Sequence, residues 1–201
     1  MAWVLKNYTV AKNKRQKPNI KRMGLNKKLI KFLLQSFLLY GVWLLVYELI
    51  LKSNGQPDHL ITENISYFIC LGLDYLGFKP HFSIAEKVGE TFIFLNTSTF
   101  PLIRVGASCN GLELLILFSI FIICYPSNFK SKLWFIPIGS LIIHAVNIMR
   151  NFILTLMAEA KSPYFELFHR YIFIFLVYGI IFMLWMWWAA KQSKLQATHE
   201  N

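Results

Sequence analysis

Charge is scarce in this 201-residue chain. Asp, Glu, Lys and Arg make up 15% of it, against about a quarter in a typical soluble domain. With 56% hydrophobic residues and a mean hydropathy of +0.46, the composition excludes an ordinary soluble fold and points to an integral membrane protein. Cysteine is scarce too. Cys70, Cys109 and Cys124 make an odd count, so at least one thiol is free unless chains pair; a Cys70–Cys109 disulfide outside the membrane is the alternative. No closely spaced second ligand pair accompanies Cys109 and His169, so neither a metal nor a cofactor is expected. There are no internal repeats or low-complexity tracts. The first apolar run is too long for a signal-peptide core and no small-residue cleavage site follows it, so no cleavable signal is expected.

Acidic residues are outnumbered, 10 against 21 Lys and Arg, for a formal net charge of +11. Ten of those 21 cluster between Lys6 and Lys31. A basic arm flush against a membrane helix is an anchor on the cytoplasmic side that also meets anionic lipid. No aromatic-interleaved reading surface accompanies it, so nucleic acid is not an expected partner.

The hydropathy pattern predicts an all-α integral membrane protein with about four transmembrane helices, at about 29–51, 108–125, 133–157 and 169–190. An extracytoplasmic amphipathic helix and a short β-hairpin join them. The first run is long enough for a core of about 30 Å. From Asp58 to Gly77 the apolar residues fall at helical spacing but Asp58, Glu63, Asn64 and Asp74 interrupt them, which predicts a helix lying on the surface; a spanning helix there is the rival and would invert everything downstream. Glu90–Leu95 and Thr99–Val105 flank a turn at Asn96-Thr97-Ser98 and read as the hairpin, with Pro101 confining its strand to an edge. The organisation is then a basic cytoplasmic arm (1–28), one membrane-embedded domain (29–190) with an outer loop at 52–107, and a cytoplasmic tail (191–201). Lys130 and Lys132 in the short loop and Lys191 and Lys194 in the tail are basic, while the two remaining loops are near neutral. Four spans with both termini in the cytoplasm satisfy the positive-inside rule at every loop.

Under that topology Cys109 lies just inside the outer leaflet. Glu113, four residues on and so on the same helix face, sits on the order of 6 Å deeper, and Arg150 roughly 10 Å below the outer end of its span. His169 opens the last span at the same interface. A thiol attacks as the thiolate, which a nearby base or cation favours. His169 is a candidate general acid/base. Arg150, always protonated, is a candidate stabiliser of thiolate or oxyanion. Glu113 would hold Arg150, and Asn147, one turn earlier, would bond substrate or partner; His144 extends the stripe deeper and reads as structural. The bland readings are a Glu113–Arg150 pair that only glues helices, a Cys109 that only fills space, and His81 in the outer loop as a rival base.

Ala107-Ser108-Cys109-Asn110-Gly111-Leu112-Glu113-Leu114, then Asn147-Ile148-Met149-Arg150, then His169 at the start of the last span, resemble the exosortase/archaeosortase family. Their order and spacing are similar to the compact exosortases of Bacteroidetes type, and the resemblance covers about Glu90 to Ala190. It implies a membrane cysteine protease/transpeptidase of the inner membrane, its site facing outward. Such an enzyme cuts a C-terminal sorting tail from exported proteins and passes the acyl group to a cell-surface acceptor. Carried over by position, Cys109 is the nucleophile, Arg150 the oxyanion or thiolate stabiliser and His169 the acid/base, with Glu113, Asn147 and Asn110 in support. The chain departs from the larger exosortases in its few spans and in Asn110, where Ser is common. The competing classes are a non-catalytic assembly factor for surface polysaccharide or protein export, with Cys109 merely packed, and a small transporter. The transporter would need polar residues through the full thickness, and the last span is apolar from Ile172 to Val177.

Overall fold

The computed structural model describes residues 20–52, 56–85 and 89–199. The greater part of the basic arm (1–19) and part of the first turn (53–55) lie outside the described residues. Helix α1 spans Ile20–Val46 and runs on through a π-helical turn, Tyr47–Leu51. Then come α2 (Gln56–Tyr75), β1 (Pro80–Ala85), β2 (Glu90–Leu95), β3 (Ile103–Val105), α3 (Leu112–Cys124) and α4 (Phe129–Glu159). A short α5 (Phe165–Leu167) passes through a π-helical turn at Phe168–Ile172 into α6 (Phe173–His199).

Among the described residues, three helices are long and apolar enough to cross a membrane: Leu29–Leu51, Phe129–Glu159 and Phe165–Lys194. Their outward faces carry large bare side chains such as Phe37 (81% exposed), Trp134 (75%) and Phe175 (75%), a surface that lipid covers and water does not. The span expected at 108–125 is shorter than predicted. It begins at Leu112 rather than Ser108, and its 13 residues reach about 20 Å, short of a hydrocarbon core of about 30 Å by itself. The reason is Gly111, whose φ of 78° lies in the left-handed region and cannot continue a helix upstream. Cys109 therefore stands in a turn, its N–H donating to the Gly106 carbonyl at 2.8 Å. The expectation that Cys109 and Glu113 share a helix face fails for this reason.

The helices pack with alternating direction. Near one end Phe32 of α1 meets Phe121 and Tyr125 of α3 edge-on, the Tyr125 hydroxyl donates to the Ala189 carbonyl of α6, and Gln192 donates to Ser131 at 3.1 Å. Lys130, Lys132 and Lys191 belong to this end. Cys109, Asn151 and His169 belong to the other. Between them Phe118, Phe135, Ile143, Val177, Ile181 and Trp188 form the bundle core, with Phe135 stacked on Trp188 at 4.4 Å. Gly139 lets α4 approach α3, because a Cβ there would collide with the fully buried Phe118 ring. Gly139→Leu is expected to cost about 1–3 kcal/mol by overpacking. Gly41→Leu, where nothing lies within 4 Å, should cost nothing measurable; detergent-solubilised melting curves of the two compare them directly.

Helix α2 is amphipathic as expected, but its apolar stripe faces protein. Ile65, Ile69 and Leu73 pack on Ile93 and Leu95 of β2 and Val105 of β3, with Ile148, Phe152 and Leu156 of α4 beside them. The sheet has three antiparallel strands in the order β1-β2-β3, one more than the hairpin read from sequence. Pro80 is the first residue of β1, an edge strand, where proline is tolerated. The last strand starts at Ile103 rather than Thr99. Ser98 Oγ accepts the Phe100 N–H in a local turn, and Pro101 has no N–H for a ladder.

Candidate functional site

Residues 109–112 are held from several directions. The Cys109 carbonyl accepts from Asn147 Nδ2 at 3.1 Å and from Asn151 Nδ2 at 3.2 Å, two side chains one turn apart on α4. Asn110 Oδ1 accepts the Leu112 N–H at 2.9 Å, satisfying one of the orphan donors at the start of α3 that Gly111 cannot cap. Asn110 Nδ2 donates to Asp58 Oδ1 at 2.6 Å, and Asp58 Oδ2 accepts from the Tyr47 hydroxyl at 2.8 Å. A Cβ at Gly111 would stand 3.0 Å from Asn147 Nδ2, so bulk as well as φ selects glycine there.

The Cys109 sulfur lies 3.8 Å from His169 Nε2 and 3.8 Å from Ser108 Oγ. His169 sits in the π-helical turn before α6, its ring stacked on Phe165 at 5.7 Å. Such turns inside helices recur at functional sites because they re-aim one side chain. Cys109 and His169 line a cavity of about 200 Å³ together with Glu90 and Arg104, which pair across β2 and β3 at 3.4 Å. Gly106 leaves room for the Glu90 carboxylate beside this cavity. Ser108 also lines a second cavity, of about 220 Å³, with Arg150, Glu113 and Tyr178. Thiol and imidazole thus share one cavity, and a guanidinium opens into the next. A thiol within reach of an imidazole can hand over its proton, and a cation nearby favours the charges that result.

One expectation about support needs correction. Glu113 is exposed and makes no ion pair with Arg150, although both line the second cavity. As a residue of the first turn of α3 it instead complements the helix dipole. Arg150 is only 8% exposed, and its Nε has no hydrogen-bond partner. Asn147 turns its amide to the Cys109 backbone, and its Oδ1 is left unpartnered. His81 is stacked flat on Phe94 at 5.0 Å and is not brought to Cys109. His144 bonds Asn64 of α2 at 2.8 Å, the structural part expected of it. All three cysteines are free, so no Cys70–Cys109 disulfide forms. Burial pushes the Cys70 thiol up to about 11.

Sequence reasoning missed Asp58 and Tyr47 and did not place Asn151 beside Cys109. The signal for Asp58 was present: it lies in one stripe with Thr62, Ile65 and Ile69, at spacings of four, three and four. A carboxylate in line with a buried stripe is not part of a solvated face.

Apolar helices of spanning length, a small sheet over one end, and a thiol–imidazole pair at that end define a membrane protein with a candidate cysteine centre. The family model for transmembrane exosortases (EpsH type) matches residues 24–188, and the chain belongs to that family. No curated protein and no solved structure matches it.

Proposed function

We propose that this exosortase is a cysteine peptidase and transpeptidase, with Cys109 as nucleophile, His169 as acid/base and Arg150 as oxyanion stabiliser. The observation that carries this is the 3.8 Å approach of Cys109 Sγ to His169 Nε2, with the Cys109 carbonyl anchored by two α4 amides. Cys109 Sγ adds to a peptide carbonyl as its proton passes to His169 Nε2. The carbonyl oxygen becomes an oxyanion beside the Arg150 guanidinium. Collapse breaks the C–N bond, the amine leaves with the proton from His169, and a thioester remains on Cys109. An acceptor amine or water, deprotonated by His169, then attacks the thioester and releases the thiol.

The fitting substrates are exported proteins with a C-terminal sorting tail, and the acceptor is a surface molecule outside the membrane. All four segments α1, α3, α4 and α6 lie in the inner membrane, α3 being completed by the turn above it. Both termini, the arm at 1–28 and the tail at 191–201, are cytoplasmic, and the arm meets anionic lipid. The clustering of Lys130, Lys132 and Lys191 at the end opposite Cys109 supports that orientation. The test is processing in cells: a tagged exported protein ending in a short motif, an apolar span and a basic end should be shortened by the wild-type chain and left intact by Cys109→Ala. Equal processing by both would end the proposal.

A further inference from the structure

We propose that Asp58 is a positioning residue that fixes the Cys109 turn through Asn110, an inference that rests on reading Cys109 as the nucleophile. Asp58 is 3% exposed and, among the described residues, has no cationic partner within ion-pair distance. Burying a carboxylate in that way is costly unless its oxygens are met by donors. Two side chains meet them: Tyr47 Oη at one oxygen and Asn110 Nδ2 at the other. Both donate, so position 58 has to accept twice. An ionised carboxylate does so, whereas an amide of the same shape turns an NH₂ toward one of the donors. Tyr47 ends the first span, Asp58 opens α2, and Asn110 precedes α3. The carboxylate therefore ties three segments together next to the nucleophile. Asn110 passes the constraint on through its Oδ1, which accepts the Leu112 N–H. With the Cys109 carbonyl held from α4, both sides of the turn are fixed before His169 meets the sulfur from the fourth segment. Loss of the Asp58 acceptor frees the Asn110 side chain and with it the spacing of sulfur to imidazole.

The hydrogen-bond pattern admits a specific rescue. In the exchange Asp58→Asn with Asn110→Asp, the new amide at 58 accepts from Tyr47 and donates to position 110, whose second carboxylate oxygen still accepts from Leu112. Every donor is satisfied again, whereas Asp58→Asn alone leaves an acceptor for only one of Tyr47 and Asn110, and Asn110→Asp alone sets two carboxylates against each other. The readout is the rate at which N-ethylmaleimide alkylates Cys109 in the full chain in membranes, followed by mass spectrometry of the Cys109 peptide. Melting temperature is measured alongside. Each single variant is expected to lose roughly tenfold in rate as the sulfur loses its register with the imidazole that takes its proton, and the exchange to recover most of it. An unchanged rate in Asp58→Asn, or an exchange that recovers melting temperature but not rate, overturns the positioning role. His169→Ala separates the two levels. If it lowers the rate while Asp58→Asn does not, only the positioning falls; if His169→Ala also leaves the rate unchanged, the thiol–imidazole reading falls with it.

Discussion

Cys109→Ala is expected to abolish processing while leaving the fold intact. Removal of the nucleophile from a cooperating set lowers turnover on the order of 10⁶-fold, which in cells is no product at all. The fold should survive because Asn147 and Asn151 grip the Cys109 carbonyl, not its side chain. Alanine keeps that carbonyl, and trimming one sulfur from a half-buried turn costs less than about 1 kcal/mol. Cys109→Ser is expected to fail as well. The 3.8 Å separation from His169 Nε2 suits a sulfur, whereas a hydroxyl needs about 2.7–3.0 Å to share its proton. Comparing product yield with melting temperature for both variants checks the two halves together.

Arg150→Met should lose activity without losing stability. The guanidinium is almost wholly buried, forms no ion pair among the described residues, and its Nε has no hydrogen-bond partner. A buried charge in that condition contributes nothing to the resting fold, and a hydrophobic replacement of similar volume is neutral or stabilising. Its use has to come when a partner appears, and a tetrahedral oxyanion is such a partner. Loss of one preorganised donor of this kind lowers turnover by about 10²–10³-fold. Arg150→Lys should not restore it, because a single ammonium lacks the planar fork. Had Arg150 been glue for Glu113, removing it would instead cost about 3–5 kcal/mol. Unchanged or raised melting temperature with lost processing separates these outcomes.

The spans were legible where the physics is local. The Leu29–Leu51 run coincides with a spanning helix because twenty or so apolar residues have one way to satisfy their backbone in lipid. The meeting of Cys109 with His169 was legible because charge at the loops alternates the direction of the helices, which sets both residues at one end. What decided the finer geometry was not periodic. A single positive φ at Gly111 moved the start of α3 and took Cys109 out of the helix. Strand β1 (Pro80–Ala85) was not read at all, because its partner for pairing is β2 and not a pattern within the segment itself. The Arg150–Glu113 pair failed because equal depth does not make contact. Asp58 was counted among surface acids although its stripe pointed inward, and its partners Tyr47 and Asn110 lie 11 and 52 residues away along the chain.

The most direct measurement is mass spectrometry of Cys109 itself, in membranes where a tagged exported protein is being processed. The expected result is a fragment of that protein joined to Cys109 through a hydroxylamine-labile thioester, most abundant when acceptor is limiting and absent from Cys109→Ala. Processing that proceeds with no adduct on Cys109 under any acceptor supply, or with the same adduct on another residue, would contradict it.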